Sequence, residues 1–253
     1  MTTLETAASI AEPIGRAGSW FYFTPSTAEH GQRVGLDVVG FYALGRGGVL
    51  GNPTPGEVND VFYFFKPAFV EAMYGEALAK QSPQVAVPAH LEAADDFARQ
   101  TFGGIPTETL SEFTKAAAML VASLPTGEWP LVDGYRSHPL PDDAAAAAYR
   151  YVILLREVRG GVHTDAVKAS GLTGLQSCYL DHNGRAFAMH GFADEDIPVV
   201  TEAMRQRRLD AENDTSVRMA ALLGVLTDEQ QAALIEGAVA MRAALKNPVA
   251  VAD

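Results

Sequence analysis

Among the 253 residues there is one cysteine, Cys178, so an internal disulfide is impossible and a cysteine-rich zinc site is excluded. Basic residues are also in short supply, with 19 Lys and Arg against 31 Asp and Glu and a formal net charge of -12. Nucleic-acid binding draws its affinity from phosphate neutralisation, so the global sign opposes it and only a local basic patch would offset that. No apolar run approaches the roughly 20 residues of a membrane span. The opening MTTLETAASIAEP lacks the basic n-region and long apolar core of a signal peptide. The expectation is a cytoplasmic chain with no membrane association. Strand-like alternation is scarce: SWFYF, residues 19–23, is the one run with β-like composition, and it suits a helix equally well. Nucleophile elbow, dinucleotide fingerprint and phosphate loop are all missing, and no cofactor is expected.

What is present is helix. Thr54-Pro55-Gly56-Glu57 is a capping box with proline at the first helical position. The following VNDVFYFFKPAFVEAMYGEAL is apolar nearly all round, which predicts an interior helix kinked at Pro67. LEAADDFARQTF and TLSEFTKAAAMLVASL carry helical spacing and stop at Gly103-Gly104 and Pro125. AAAAAYRYVILLREVRG is a further helix, capped by Asp142 or Asp143. Thr227-Asp228-Glu229-Gln230 is a second capping box, opening a helix to about Leu245. Its Ala233, Leu234, Val239, Met241 and Leu245 call for burial, either in the core or in a homodimer formed through this helix. The fold class is all-α, mainly helical with at most a few short strands. The turn-rich PTGEWPLVDGYRSHPLP divides an expected N-terminal lobe, 1–135, from an expected C-terminal lobe, 141–253.

REVRGGVHTDAVKASGLTGLQSCYLDHNG, residues 156–184, reads as a helix-turn-helix: a basic, glycine-punctuated lead-in, a periodic helix, a break at Ser170-Gly171 and a second short helix. Together with EPIGRAGSWFYFTPSTAEHGQRVGLDVVGFYALGRGGVLG, EVNDVFYFFKP and HGFADEDIPVVTEAMRQRRLD, it resembles an actinobacterial helix-turn-helix family of largely uncharacterised proteins, sometimes labelled SalK-like. The resemblance implies a helix-turn-helix-derived bundle in two lobes, with a C-terminal part like a MarR-type winged helix, and implies no particular activity. Where the family pattern carries a histidine, this chain has Gly15. Where it carries a Trp-His pair, this chain has Tyr149-Arg150, and Phe64 stands in place of an asparagine. Of the pattern's histidines, His163 is the one retained.

A winged helix presents the first turns of its recognition helix to the major groove. By the resemblance that helix is DEDIPVVTEAMRQRRL, whose first turn holds Asp194, Glu195 and Asp196, groups that repel phosphate. Arg205, Arg207 and Arg208 fall at the opposite end, where they suit a helix C-terminus. The other candidate, TGLQSCYL, lies in a stretch with no Lys or Arg between Lys168 and Arg185. A wing needs two short strands, whereas LDAENDTSVRMAALLG is acidic and then helix-like. Specific nucleic-acid recognition is therefore not expected, with a MarR-like ligand-responsive regulator as the alternative reading.

Aromatic residues crowd into two regions, Trp20 to Phe23 with Phe41 and Tyr42, and Phe62 to Phe65. An apolar pocket with a few polar groups is what a small-molecule site requires. Tyr42, Arg46, Phe62, Tyr63, Phe65 and Tyr149 are the candidate binding residues, and the expected partner is a small apolar or aromatic molecule. Gly45-Arg46-Gly47-Gly48 reads as a flexible turn with Arg46 as its cation. His30, His90, His138, His163, His182 and His190 show no metal-ligand spacing, and no metal is expected. His182 and His190 read as surface residues, and Cys178 as a small buried thiol. His163, expected at a helix start after Gly160-Gly161, is the general-base candidate. Arg150 and Glu157 complete the catalytic candidates. The expected function is small-molecule binding on a degenerate winged-helix scaffold, extending to cofactor-independent acid–base or substrate-folding chemistry of specialised metabolism.

Overall fold

A computed structural model describes residues 1–181 and 185–245, and His182 lies outside them. Among the described residues there are thirteen α-helices and no strand, an all-α fold. The helices are α1 (Thr3–Trp20), α2 (Pro25–Arg33), α3 (Val38–Gly47), α4 (Pro55–Val61), α5 (Pro67–Lys80), α6 (Pro83–Phe102) and α7 (Thr107–Ser123). They continue as α8 (Pro130–Arg136), α9 (Ala144–Ala169), α10 (Gly174–Asp181), α11 (Arg185–Met189), α12 (Glu202–Leu223) and α13 (Asp228–Ala244). No described helix is long and apolar enough to cross a membrane.

Local chemistry accounts for most boundaries. Thr2, Thr54 and Thr227 each close a capping box, and Asp37, Asp143 and Thr201 accept a hydrogen bond from the third residue beyond them. Each satisfies a donor that a helix start leaves unpaired. Helices α2, α4, α5, α6 and α8 begin on proline, where the missing N–H costs nothing. This changes the expectation at Pro67. The chain does not kink there: α4 stops at Val61, residues 62–66 form a connector, and Pro67 opens α5. Lys66, just before the proline, is extended at φ -67°, ψ 125°, as clash with the proline ring demands. The stretch at 19–23 likewise has no strand character, since Ser19 and Trp20 end α1 and Phe21–Phe23 form a 3-10 turn.

Three further expectations are corrected. Gly45, Arg46 and Gly47 are not a flexible turn but the last residues of α3. A side chain at Gly45 would start 2.5 Å from the His90 ring, and one at Gly47 2.9 Å from Val58. His163 lies deep inside the 26-residue α9, which runs through Gly160-Gly161 without interruption. The presumed recognition helix at 194–209 is a 3-10 turn at Asp194–Asp196, an extended stretch, and only then the start of α12 at Glu202. Arg205, Arg207 and Arg208 consequently occupy the N-terminal turns of a helix, and the helix-like stretch read at 209–224 is the remainder of α12, ending at its Gly224 cap.

The main core runs from Ala7 to Leu245 and is centred on α9, with Tyr149, Val152, Ile153 and Leu155 packed among residues of α1, α6 and α7. Helix α13 seats between α1 and α7. There Gly237 meets Phe113 so closely that a Cβ would lie 2.5 Å from that side chain. Leu234, Met241 and Leu245 are buried in this intramolecular seam, leaving Val239 about half exposed. The expected lobes at 1–135 and 141–253 thus share one core, because the last helix packs against the first. A second cluster joins α3, α4 and α5 through Phe41, Leu44, Val58, Phe62 and Tyr74. A third ties Ala166, Val167 and Leu172 around the α9–α10 turn to Ala211, Tyr63 and Phe64.

Candidate functional site

The connector at residues 62–66 forms turns between two helices and is too aromatic to lie in solvent. It bridges the second and third clusters, and between it and α9 opens a cleft of two adjoining cavities of about 650 and 640 Å³. The wall common to both consists of Arg16, Ser19, Tyr42, Phe64, Phe65, Arg156, His163 and His190. That wall has two arginines, two histidines and three aromatic rings, and no carboxylate. Acidic groups of the first cavity such as Glu12, Asp60 and Glu128 are at its exposed rim.

One buried ion-pair group underlies the cleft. Arg46, from the last turn of α3, donates through Nε and Nη2 to the two oxygens of Glu157 at 2.9 and 2.7 Å, and Arg156 Nη1 donates to the same carboxylate at 2.8 Å. Burial alone would raise the Glu157 pKa, but the two guanidiniums reverse this and hold it below the ordinary carboxylate range. Arg46 Nη1 also donates to the Tyr42 hydroxyl at 3.3 Å, and its guanidinium stands 4.4 Å over the Phe62 ring. Two cations share one anion, so the group keeps a net positive charge within an acidic protein.

Seven residues further along α9, His163 lines both cavities and stacks on Phe64 with ring centroids 5.6 Å apart. Its Nδ1 lies 2.9 Å from the Thr215 hydroxyl, which donates its own hydrogen to the Ala211 carbonyl at 2.7 Å. A hydroxyl with its proton so engaged can only accept from the imidazole. His163 is therefore the Nδ1–H tautomer, with the Nε2 lone pair left over. Burial first, then Arg208 and Arg159, pull its pKa to about 4 against the opposing effect of Glu212. The ring is neutral at neutral pH.

Between these two side chains the helix is bare. Gly161 is where Trp129 presses on α9, since a Cβ would lie 2.5 Å from the indole, whose Nε1 donates to Asp165 at 3.1 Å. A Cβ on Gly160 would meet nothing within 4 Å, and Gly160 borders the first cavity.

The candidate residues divide clearly. Tyr42, Arg46, Phe62, Tyr63, Glu157 and His163 come together at the first cavity, and Phe65 borders both. Tyr63 donates weakly to the Leu172 carbonyl at 3.4 Å while Lys168 stands over its ring. Arg150 and Tyr149 are not brought there. Arg150 makes a two-pronged pair with Asp95 at 2.5 and 2.9 Å, and Tyr149 is fully buried, donating to the Ala17 carbonyl at 2.9 Å. They lie on α9 seven and eight residues before Glu157, about two turns away.

Several site residues escaped the sequence reading. Arg156 adjoins the recognised Glu157. Arg16, in the last turns of α1, covers Trp20 with its guanidinium at 4.6 Å. His190, expected at the surface, stacks on Phe65 at 4.1 Å with Nδ1 3.1 Å from the Cys178 sulfur. Burial, assisted by Asp181, pushes the Cys178 thiol to about 12, so it is a protonated hydrogen-bonding group and not a thiolate. Tyr22 lines the second cavity with its hydroxyl buried. Its residue type was visible in the sequence; its orientation was not.

The helix-turn-helix itself supplies part of this wall. Helix α9 ends at Ala169, Gly171 takes the left-handed conformation at φ 77°, and α10 follows after Thr173. Ser177, Cys178 and Asp181 of α10 border the second cavity, and α10 contains neither Lys nor Arg. On α12, Arg208 pairs with Asp181 and Glu212, and Arg159 of α9 pairs with Glu212. Among the described residues no cluster of histidine, cysteine and carboxylate side chains suited to a metal ion occurs. No curated protein and no solved structure matches the chain. A family model described as the helix-turn-helix family matches residues 7–251, and since this is nearly the whole length, the chain belongs to the helix-turn-helix family.

Proposed function

We propose that this protein binds a small aromatic molecule in the cleft between residues 62–66 and α9, and that its helix-turn-helix serves as a pocket wall and not as a DNA reader. The observation that carries the reading is the shared wall of the two cavities: aromatic rings beside arginines and a neutral histidine, a composition suited to a planar ligand with polar substituents. Helix α10 supports the second half of the proposal, because its Ser177 and Cys178 are buried at the second cavity and it offers phosphate no cation. The site has the elements of cofactor-independent proton transfer, with His163 Nε2 as acceptor and Arg156 near a developing negative charge.

Tryptophan fluorescence provides the test, since Trp129 borders the first cavity. A panel of neutral and anionic one- to three-ring aromatic compounds is titrated into the protein, and a parallel mobility-shift selection is run on random duplex DNA at physiological salt. Saturable quenching by panel members with no selected operator is the expected result. A defined operator bound at nanomolar affinity, with no aromatic compound bound, would establish the regulator instead.

A further inference from the structure

Helix geometry sets the distance between the two polar ends of the cleft. Arg156 and His163 are seven residues apart, which places them on one face of α9, two turns or about 10 Å along the axis. Each is held in place. The Arg156 stem lies against Gly18, where a Cβ would come within 2.9 Å of its Cδ, and its guanidinium is tied by Nη1 to Glu157 and stands 5.7 Å from the Tyr22 ring centroid. Its Nε and Nη2 make no hydrogen bond among the described residues, and its side chain keeps about a quarter of its exposure. At the other end Thr215 holds His163 by Nδ1 and leaves Nε2 as an acceptor. Gly160 lies between them, four residues from one and three from the other, with open space where a side chain would be.

Resting on the reading of the cleft as a small-molecule site, we infer that its ligand is an aromatic carboxylate about two fused rings long, with its carboxylate on Arg156 and a hydroxyl or amino hydrogen donated to His163 Nε2. The rings lie over the bare backbone at Gly160 and beside Phe64 and Phe65. Arginine matches a planar carboxylate through paired donors. The surplus positive charge of the Arg46–Glu157–Arg156 group makes that end anion-selective. A neutral imidazole without an Nε2 proton accepts a hydrogen bond and cannot donate one there, so the far substituent must be a donor.

The probes are 6-hydroxy-2-naphthoate, its 6-methoxy analogue, 2-naphthol and 4-hydroxybenzoate, titrated against the full chain by calorimetry. The hydroxynaphthoate is expected to bind at least about tenfold more tightly than each of the others, which lack in turn the donor, the anion and the length. Arg156→Gln should erase the preference over 2-naphthol, and His163→Phe should erase the preference over the methoxy compound. Gly160→Leu should abolish binding of all naphthalene probes, with Gly160→Ala weakening it, while helix propensity raises Tm by about 2–4 °C for the alanine variant. Because the glycine variants are not expected to unfold, loss of binding in them reports the cleft itself. Nitrogen-15 spectra of the His163 ring in the free protein should place Nε2 in the unprotonated range.

Equal affinity for 2-naphthol and hydroxynaphthoate, or an Nε2–H tautomer, overturns this ligand class and leaves the small-molecule cleft standing. Unchanged binding in Gly160→Leu overturns the placement on α9. Failure of every probe, together with every member of the broader aromatic panel, overturns both the inference and the reading beneath it.

Discussion

Arg150 and Arg156 occupy the same helix fewer than two turns apart, yet their surroundings differ in one decisive respect. Arg150 meets Asp95 one to one, with about a tenth of each side chain exposed. Charge is matched one to one, and Nε and Nη2 of the guanidinium are both engaged by the carboxylate. Arg156 must share Glu157 with Arg46, so three charged groups leave one positive charge and two nitrogens of Arg156 unengaged. Both arrangements are ion pairs. What separates the two arginines is stoichiometry and the large cleft beside Arg156, not the presence of a buried charge.

That comparison is most severely tested by removing the shared anion. Glu157→Gln leaves two close guanidiniums uncompensated, and a destabilisation of about 3–5 kcal/mol is expected from urea unfolding. A loss under about 1 kcal/mol would mean that Arg46 and Arg156 are stabilised without it, and the account of the surplus charge would be wrong.

Acid titration gives the next largest effect. His90 is fully buried, ringed by Phe21, Tyr22 and Phe41, and 3.4 Å from the Tyr135 hydroxyl. Burial, with Arg150 and Arg46, lowers its pKa from 6.5 to about 3 despite Glu157. As pH falls below 6.5 the unfolded chain takes up a proton that the folded chain refuses, so stability is lost with acidification until the folded pKa is reached. Between pH 6.5 and 5 this amounts to about 2 kcal/mol for His90, with His163 acting in the same direction. Urea midpoints measured across that interval should fall, and a flat profile would show that these rings are protonated in the native state.

Tyr149→Phe separates core from cleft more finely. It removes one buried hydrogen bond to Ala17 and should cost about 1 kcal/mol, with aromatic-probe affinity unaltered. A clear loss of affinity would return Tyr149 to the site. The smallest expected effect is at Val239, the exposed residue of α13: Val239→Lys should change stability by no more than about 0.5 kcal/mol and leave the light-scattering mass unaltered. A fall in mass would show that α13 forms a homodimer contact in addition to its internal one.

Much of the fold was legible. Thr54, Thr227 and Asp143 cap helices as their side chains dictate, and Gly171 breaks the chain where a left-handed residue is needed. The rest was illegible where a local signal has two physical outcomes. Pro67 can kink a helix or begin one, and the aromatic run before it settled the choice by packing across two clusters. Gly160-Gly161 looks like a helix break, but Trp129 packed on one glycine and the cleft beside the other account for both inside an intact helix. In the candidate site, Tyr42, Arg46, Tyr63 and His163 were recognisable as polar-tipped groups among apolar segments, whereas no local pattern marks Arg16 or Arg156 as lining a cavity.

By itself the sequence determined that this chain is helical, where many of its helices begin, and that α10 has no cation for phosphate, because capping, proline placement and charge are properties of neighbouring residues. The tertiary structure alone decided that α13 closes on α1 and α7, that Arg150 is spoken for by Asp95, and that Arg46 meets Glu157 across 111 positions of chain. Those outcomes depend on which side chains burial brings into contact, and no local pattern encodes the partner of a buried charge.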